Sequence, residues 1–262
     1  MAERQYIKLN VDDDGVAVLT IDHPPVNALS SAVLKELSET LDEIKEDPKV
    51  KVVVIAGAGS FAFIAGADIN EIMQISDKDT GYKLARMGQE IITKLERLGK
   101  PTIAAIHSHC LGGGLELAMA CHMRIAGDRA KLGQPEINLG IMPGFGGTQR
   151  LPRIVGKAKA IEMILTGDNI TAQEAYRIGL VNKVVPQSDV LKAAKDLARR
   201  IARKGQIAVR HSLKAILEGY EMPLDEALDF EAKLFGELCE TEDMKEGLRA
   251  FKEKRQPQFK DR

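Results

Sequence analysis

The sequence contains no tryptophan, and aromatic residues make up only 4% of it. Stacking platforms for nucleobases are therefore not expected. Basic and acidic residues nearly cancel, 37 against 38, for a formal net charge of −1. That balance leaves no electrostatic footprint for nucleic acid or for an anionic membrane. The three cysteines, at 110, 121 and 239, lack C-x-x-C spacing, which argues against a disulfide framework and a zinc ribbon. A reducing, cytoplasmic setting is the expectation. The first residues, MAERQYIKLNVDDD, are too charged for a secretory signal. The most apolar run, residues 52–67, is short and broken by three glycines and a serine, so it falls below a membrane span. Also missing are G-x-x-x-x-G-K-[ST], a strand-to-helix G-x-G-x-x-G, H-E-x-x-H and G-x-S-x-G.

What is present suits one large domain, or a domain with an appendage: 262 residues, 44% apolar and 29% charged. Residues 6–11 alternate Ile7, Leu9 and Val11 with polar neighbours, a half-buried strand. Asp13-Asp14-Gly15 turns the chain into a second strand over 16–21, which His23-Pro24-Pro25 ends. Ser30 or Ser31 caps a helix carrying Leu34, Leu37, Leu41 and Ile44, stopped by Pro48. Residues 50–56 read as a buried strand, and 57–68 as a loop of small residues. A helix over 80–99, a strand over 102–107, a helix around Glu116 and a strand over 124–126 follow. Residues 157–166 look helical. Thr171-x-x-Glu174 is a capping box for a helix ending near Gly179, and 181–185 is a short strand. Beyond 189 all is helix: 189–203, 206–219, 223–238 and 242–254. The pattern is α/β with one plausible internal boundary near 186–190.

The residues with chemistry cluster between Cys110 and Arg150. Two glycine groups, 112–114 and 144–147, bracket Glu116 and Glu136. Glu116 lies in an apolar helical run. A carboxylate there is costly unless paired, hydrogen-bonded or protonated. Glycines between strand and helix expose N–H groups at the positive end of the helix dipole, where an anion or developing oxyanion is stabilised. The loop Ala65-Gly66-Ala67-Asp68 has the same character, so two loops giving one N–H each would form an oxyanion hole.

Ala65-Gly66-Ala67-Asp68, Gly112-Gly113-Gly114-Leu115-Glu116, Gln134-Pro135-Glu136 and Pro143-Gly144-Phe145-Gly146-Gly147-Thr148-Gln149-Arg150 together resemble the signature segments of the enoyl-CoA hydratase (crotonase) family. The resemblance extends to Asn27-Ala28-Leu29 and the tail 251–255. It implies an α/β spiral of strand–strand–helix units over residues 1–188 and a helical C-terminal region, 189–262, for oligomerisation and CoA contact. It also implies reversible syn addition of water to a trans-2-enoyl-CoA, in fatty-acid β-oxidation or short-chain acyl-CoA metabolism. No metal or redox cofactor is implied, CoA being part of the substrate. By the same resemblance Ala65 and Gly113 supply the oxyanion N–H groups. Glu116 is the base for water, and Glu136 exchanges the proton at C2. Residues 65–69 (through Ile69), Gly113 and Gly144 line the substrate site, and Val26, Ala28 and Lys254 contact CoA. The turn Pro24-Pro25-Val26-Asn27 is shorter than the better-known version and lacks its lysine. Phe145 stands where a smaller residue is common and would reshape the acyl tunnel. A homotrimer or homohexamer is implied.

Simpler readings compete. Glu116 could be an exposed helix residue, and Glu136 a first-turn complement to a helix dipole. Asp68 is better read as a helix N-cap than as a catalyst. His107, His109, Cys110, Cys121 and His122 match no standard zinc spacing and read as core or rim. Other functions kept open are double-bond isomerisation, which relatives carry out with only one of the two glutamates, and non-catalytic RNA binding, which charge and composition disfavour.

Overall fold

The computed structural model describes residues 4–262. An antiparallel hairpin, β1 (Ile7–Val11) and β2 (Val16–Ile21), leads to α1 (Ser31–Glu46). Ser30 caps α1 by accepting from the Val33 N–H, and Val33, Leu34, Leu37, Leu41 and Ile44 form its buried stripe. Three strand–strand–helix units follow. The first is β3 (Val52–Gly57), β4 (Ala62–Ile64), α2 (Ile69–Met73) and α3 (Lys78–Glu96). The second is β5 (Thr102–Ile106), β6 (His109–Leu111) and α4 (Gly113–Ala120). The third is β7 (Met123–Gly127), β8 (Lys131–Gly133), a 3-10 turn over Pro135–Leu139, α5 (Gly147–Val155) and α6 (Lys157–Thr166).

In each unit the first strand enters a six-stranded sheet, ordered β1-β2-β3-β5-β7-β10, and the second enters a four-stranded sheet, β4-β6-β8-β9. The remaining elements are β9 (Ile170–Thr171), α7 (Ala172–Arg177), β10 (Lys183–Val185), α8 (Val190–Ala202), α9 (Gln206–Gly219), α10 (Leu224–Leu238) and α11 (Glu242–Glu253). The larger sheet is parallel except at the β1–β2 edge, and both its faces are covered. Val53 and Ile55 of β3 face the core shared with α1, α3 and α4, while Val52, Val54 and Ala56 face α8. Burial on both faces is why β3 reads as an unbroken apolar run.

The region from 189 is helical as expected, but α8 does not stand apart. Val190, Ala194, Ala198 and Ala202 form a stripe at four-residue spacing, packed on Val52, Val54, Ile103 and Ile125 of the sheet. The helices beyond the sheet's second layer begin at Gln206, and α9 and α10 pack mainly on each other.

Besides the two-residue β9, three short strands depart from the expectation: β4 lies in the presumed small-residue loop, and β6 and β8 have three residues each. They decide where the site forms. β4, β6 and β8 run parallel and adjacent. The segments leaving their C-terminal ends, 65–68, 112–114 and 134–136, therefore emerge side by side. The carboxyl end of parallel strands is the usual place for a ligand crevice in such sheets.

Candidate active site

The segment after β4 is fixed by the turn before α1. Asn27, buried and left-handed (φ 56), accepts from the His23 N–H through Oδ1 and donates through Nδ2 to the carbonyls of Ala58, Ala62 and Phe63. The Leu29 N–H donates to Gly66, and the Asp68 N–H to Leu29. Val26 and Ala28, the expected CoA contacts, thus lie in and just after the turn that is tied to 65–68.

This pairing corrects one assignment. The Ala65 N–H donates to the Val26 carbonyl at 3.1 Å, so it is already engaged in holding the turn. Gly66 adopts φ +107, a conformation that suits glycine. The next peptide then faces α4: a Cβ built on Gly113 would lie 3.3 Å from the Ala67 nitrogen. Among the described residues no acceptor takes the N–H of Ala67 or of Gly113. The pair of neighbouring free donors is Ala67 and Gly113, not Ala65 and Gly113. Asp68 accepts from the Asn70 N–H at 2.8 Å and caps α2, and Ile69 is exposed beside it.

Gly112, at φ +53, lets β6 turn abruptly into α4, and its missing side chain makes room for Glu136, since a Cβ there would stand 3.1 Å from Oε1. All of α4 is buried, Glu116 included at 2% exposure. Its carboxylate Oε1 accepts the N–H of Phe145 at 2.8 Å and of Gly147 at 2.6 Å. The second glycine cluster is therefore a cradle for this carboxylate. Gly144, expected at the substrate, accepts from Gln89 Nε2 of α3 through its carbonyl (2.9 Å), which leaves its N–H without a partner among the described residues.

Burial pushes the Glu116 carboxyl up to about 7. The N–H donors of Gly147 and Phe145 and the Arg150 charge oppose the rise, and the charge of Glu136 adds to it. Burial likewise raises Glu136 to about 7. Glu136 is half-buried, and its Oε2 is shielded from solvent without a hydrogen-bond partner. Two carboxyls that change protonation near neutrality, one fixed by N–H donors and one with an unpartnered oxygen, can exchange protons with a molecule held between their loops.

The structure gives a supporting role to three residues of the signature segments, among them Phe145, which the sequence places at the acyl tunnel. Gln134 is fully buried and donates from Nε2 to the Gly112 carbonyl at 3.2 Å, tying β8's exit to β6's. Phe145 is 5% exposed, and its ring lies between Gly88 of α3 and Gly113, where it supports the donor peptide from the core side. Arg150 bridges α5 to Glu96 of α3 at 2.7 Å. An isolated glycine within a helix pattern was the one available signal for the Phe145 pocket.

Lys254 ends α11, exposed and left-handed (φ 55), with no hydrogen bond or ion pair tying its side chain to the 26–28 or 65–68 segments. His122 accepts the Thr102 N–H at Nδ1 and donates from Nε2 to the Glu96 carbonyl. Cys110 and Cys121 are buried thiols, and burial pushes Cys121 up to about 12. Among the described residues no group of three or more His, Cys, Asp or Glu could hold a metal ion, and no helix is long and apolar enough to cross a membrane.

Known proteins match this arrangement along its whole length. The family model for enoyl-CoA hydratase/isomerase matches residues 12–262. A probable enoyl-CoA hydratase of Bacillus subtilis (strain 168) is 50% identical over 249 residues, covering 95% of this chain and 96% of its own. A short-chain-enoyl-CoA hydratase of Clostridium acetobutylicum is 47% identical over 249 residues, covering 94% and 95%. The crystal structure of an enoyl-CoA hydratase from Bacillus anthracis superposes with a TM-score of 0.95 at 40% identity, covering 98% of this chain and 100% of that one. With its two-sheet spiral and its signature loops assembled around Glu116 and Glu136, the chain belongs to the enoyl-CoA hydratase/isomerase family.

Proposed function

We propose that this chain is an enoyl-CoA hydratase that adds water reversibly across the C2=C3 bond of a trans-2-enoyl-CoA. The observation that carries the reading is a buried carboxyl, Glu116, and a half-buried one, Glu136, each raised to about 7, beside the free N–H groups of Ala67 and Gly113. The thioester oxygen sits between those two donors, which stabilise the charge that grows on it as C3 is attacked. Glu116, ionised and held by Phe145 and Gly147, takes a proton from water as the oxygen bonds to C3. Glu136, protonated, delivers a proton to C2. The pair exchanges protons with solvent to reset, so the reading calls for no cofactor beyond the CoA of the substrate.

Names of relatives point to a short acyl chain, one being a short-chain-enoyl-CoA hydratase and another a crotonyl-CoA hydratase. The setting is fatty-acid β-oxidation or short-chain acyl-CoA metabolism in a reducing cytoplasm, in keeping with three free cysteines. In this reading Val26 and Ala28 meet the CoA nucleotide and Lys254 its phosphates. The exposed Ile216, Tyr220, Leu224, Leu228, Phe235 and Phe251 of the last helices suit association into a trimer or hexamer. Retention of both glutamates favours hydration over isomerisation. Hydration rates measured on enoyl-CoA thioesters from four carbons upward test reaction and substrate together. Turnover falling with chain length is expected, and no turnover on any member contradicts the reading.

A further inference from the structure

The segment 144–147, which cradles Glu116, is itself held from outside by α3. Gln89 Nε2 donates to the Gly144 carbonyl at 2.9 Å. One peptide further on, Arg150 Nη1 donates to the Phe145 carbonyl at 3.2 Å. The guanidinium is not free to drift. Its Nη2 donates to Glu96 Oε2 at 2.7 Å and to Thr93 Oγ1 at 3.1 Å, and its Nε faces the same carboxylate at 3.2 Å. This fork-to-carboxylate geometry fixes orientation as well as distance. Glu96 is anchored in turn, because its own carbonyl accepts from His122 Nε2 at 3.0 Å. Arg150 is 13% exposed and Glu96 34%, so the guanidinium end of the pair is the more shielded from solvent. Gly146 has no side chain where a Cβ would fall on the guanidinium.

The two ends of Phe145 thus have different partners. Its carbonyl is gripped by Arg150, and its N–H points to Glu116 Oε1 at 2.8 Å. We propose that Arg150 is a positioning residue for hydration: anchored on α3, it fixes the backbone of Phe145 and so holds the Glu116 carboxylate in line for water. The proposal rests on the reading of Glu116 as the base. It extends the working site to Glu96 and Thr93, which touch no reacting atom.

The test is a double-mutant cycle on crotonyl-CoA hydration, with circular dichroism and thermal melting to establish folding. Arg150→Met should lower kcat by about 10- to 100-fold, the scale on which small misplacements act, with KM within about threefold. Arg150→Lys, which keeps the charge without the fork, should recover part of the loss. In a Glu116→Gln background the Arg150→Met loss should disappear, because there is no base left to position. A folded Arg150→Met enzyme with wild-type kcat, or an equal loss in the Glu116→Gln background, overturns the proposal. If Arg150→Met does not fold, Glu96→Gln leaves the guanidinium in place but unanchored. It should lower kcat only where Glu116 is intact, and wild-type kcat overturns the proposal. Wild-type hydration by Glu116→Gln alone would overturn the underlying reading as well, whereas an inactive Glu116→Gln beside an unaffected Arg150→Met overturns the role of Arg150 alone.

Discussion

The backbone N–H of Gly147 stands 2.6 Å from Oε1 of Glu116, at the first residue of α5. A glycine cluster that would otherwise suggest a phosphate loop binds an anion belonging to the protein itself. It is the helix N-terminus, with its unpartnered donors, that makes this favourable.

The same glycine allows a test of crowding. A Cβ at position 147 would lie 2.6 Å from Gln134 Oε1, 2.8 Å from Pro143 Cβ and 3.0 Å from Glu116 Oε1. Gly147→Ala should destabilise by about 1–3 kcal/mol, as overpacking does. By displacing the carboxylate it should also lower kcat by about 10- to 100-fold. Thermal melts and crotonyl-CoA hydration rates measure the two effects separately.

The two raised carboxyls set a pH dependence of stability. Each binds its proton more tightly in the folded chain than in the unfolded one, where a glutamate titrates near about 4.3. Its contribution is therefore complete below that value and is lost as pH rises through about 7. Wild type should lose stability between roughly pH 5 and 7.5, and the Glu116→Gln/Glu136→Gln double variant should lose less, by on the order of 2–3 kcal/mol for each carboxyl removed. Urea denaturation across that range measures it. For turnover, one carboxyl must be ionised and the other protonated, so kcat/KM should follow a narrow bell centred near neutrality, its two limbs belonging to the pair.

Gly88 and Phe145 form a complementary pair. A Cβ at 88 would fall 2.7 Å from the ring's Cγ and closer still to its edge atoms. Gly88→Ala should cost about 1–3 kcal/mol despite the gain in helix propensity, because rigid ring and helix backbone cannot both give way. Adding Phe145→Leu should restore part of the melting temperature, and an additive double variant would show that the two positions do not share this space.

Backbone esters distinguish Ala67 from Ala65. Replacing the amide N–H of Ala67 by an ester oxygen should slow hydration by about 100- to 1000-fold, the usual loss for one oxyanion donor. The same change at Ala65 removes the bond to Val26, and should cost about 1 kcal/mol of stability with little loss of rate. Kinetics and melts of the two semisynthetic proteins decide between the positions.

Much of this could be read before any coordinates. Strands with β-branched runs or clean alternation, such as β1, β2 and β3, and helices with a cap and an apolar stripe, such as α1, announce themselves through local chemistry. The three-residue strands β4, β6 and β8 do not, because they are too short to show a period and are defined by their neighbours. α5 follows a glycine N-cap, begins Gly-Thr-Gln-Arg and carries Pro152 near its end, so its helicity follows from its tertiary role. Glu116 and Glu136 stood out as carboxylates in apolar or proline-bounded runs. The choice of Ala67 over Ala65 did not, since it depends on which N–H the Val26 carbonyl takes and on the turn that Gly66 permits. Gln89, Glu96 and Arg150 sit on helices as ordinary polar residues, and only the fold brings them against the loop that holds Glu116.

Hydration of crotonyl-CoA by wild type, Glu116→Gln and Glu136→Gln, with each variant shown to be folded, tests the paired-carboxylate mechanism most directly. Wild type should turn over, and each single variant should lose about 100-fold or more, the scale of general acid–base catalysis. Wild-type rates in both variants would contradict the mechanism.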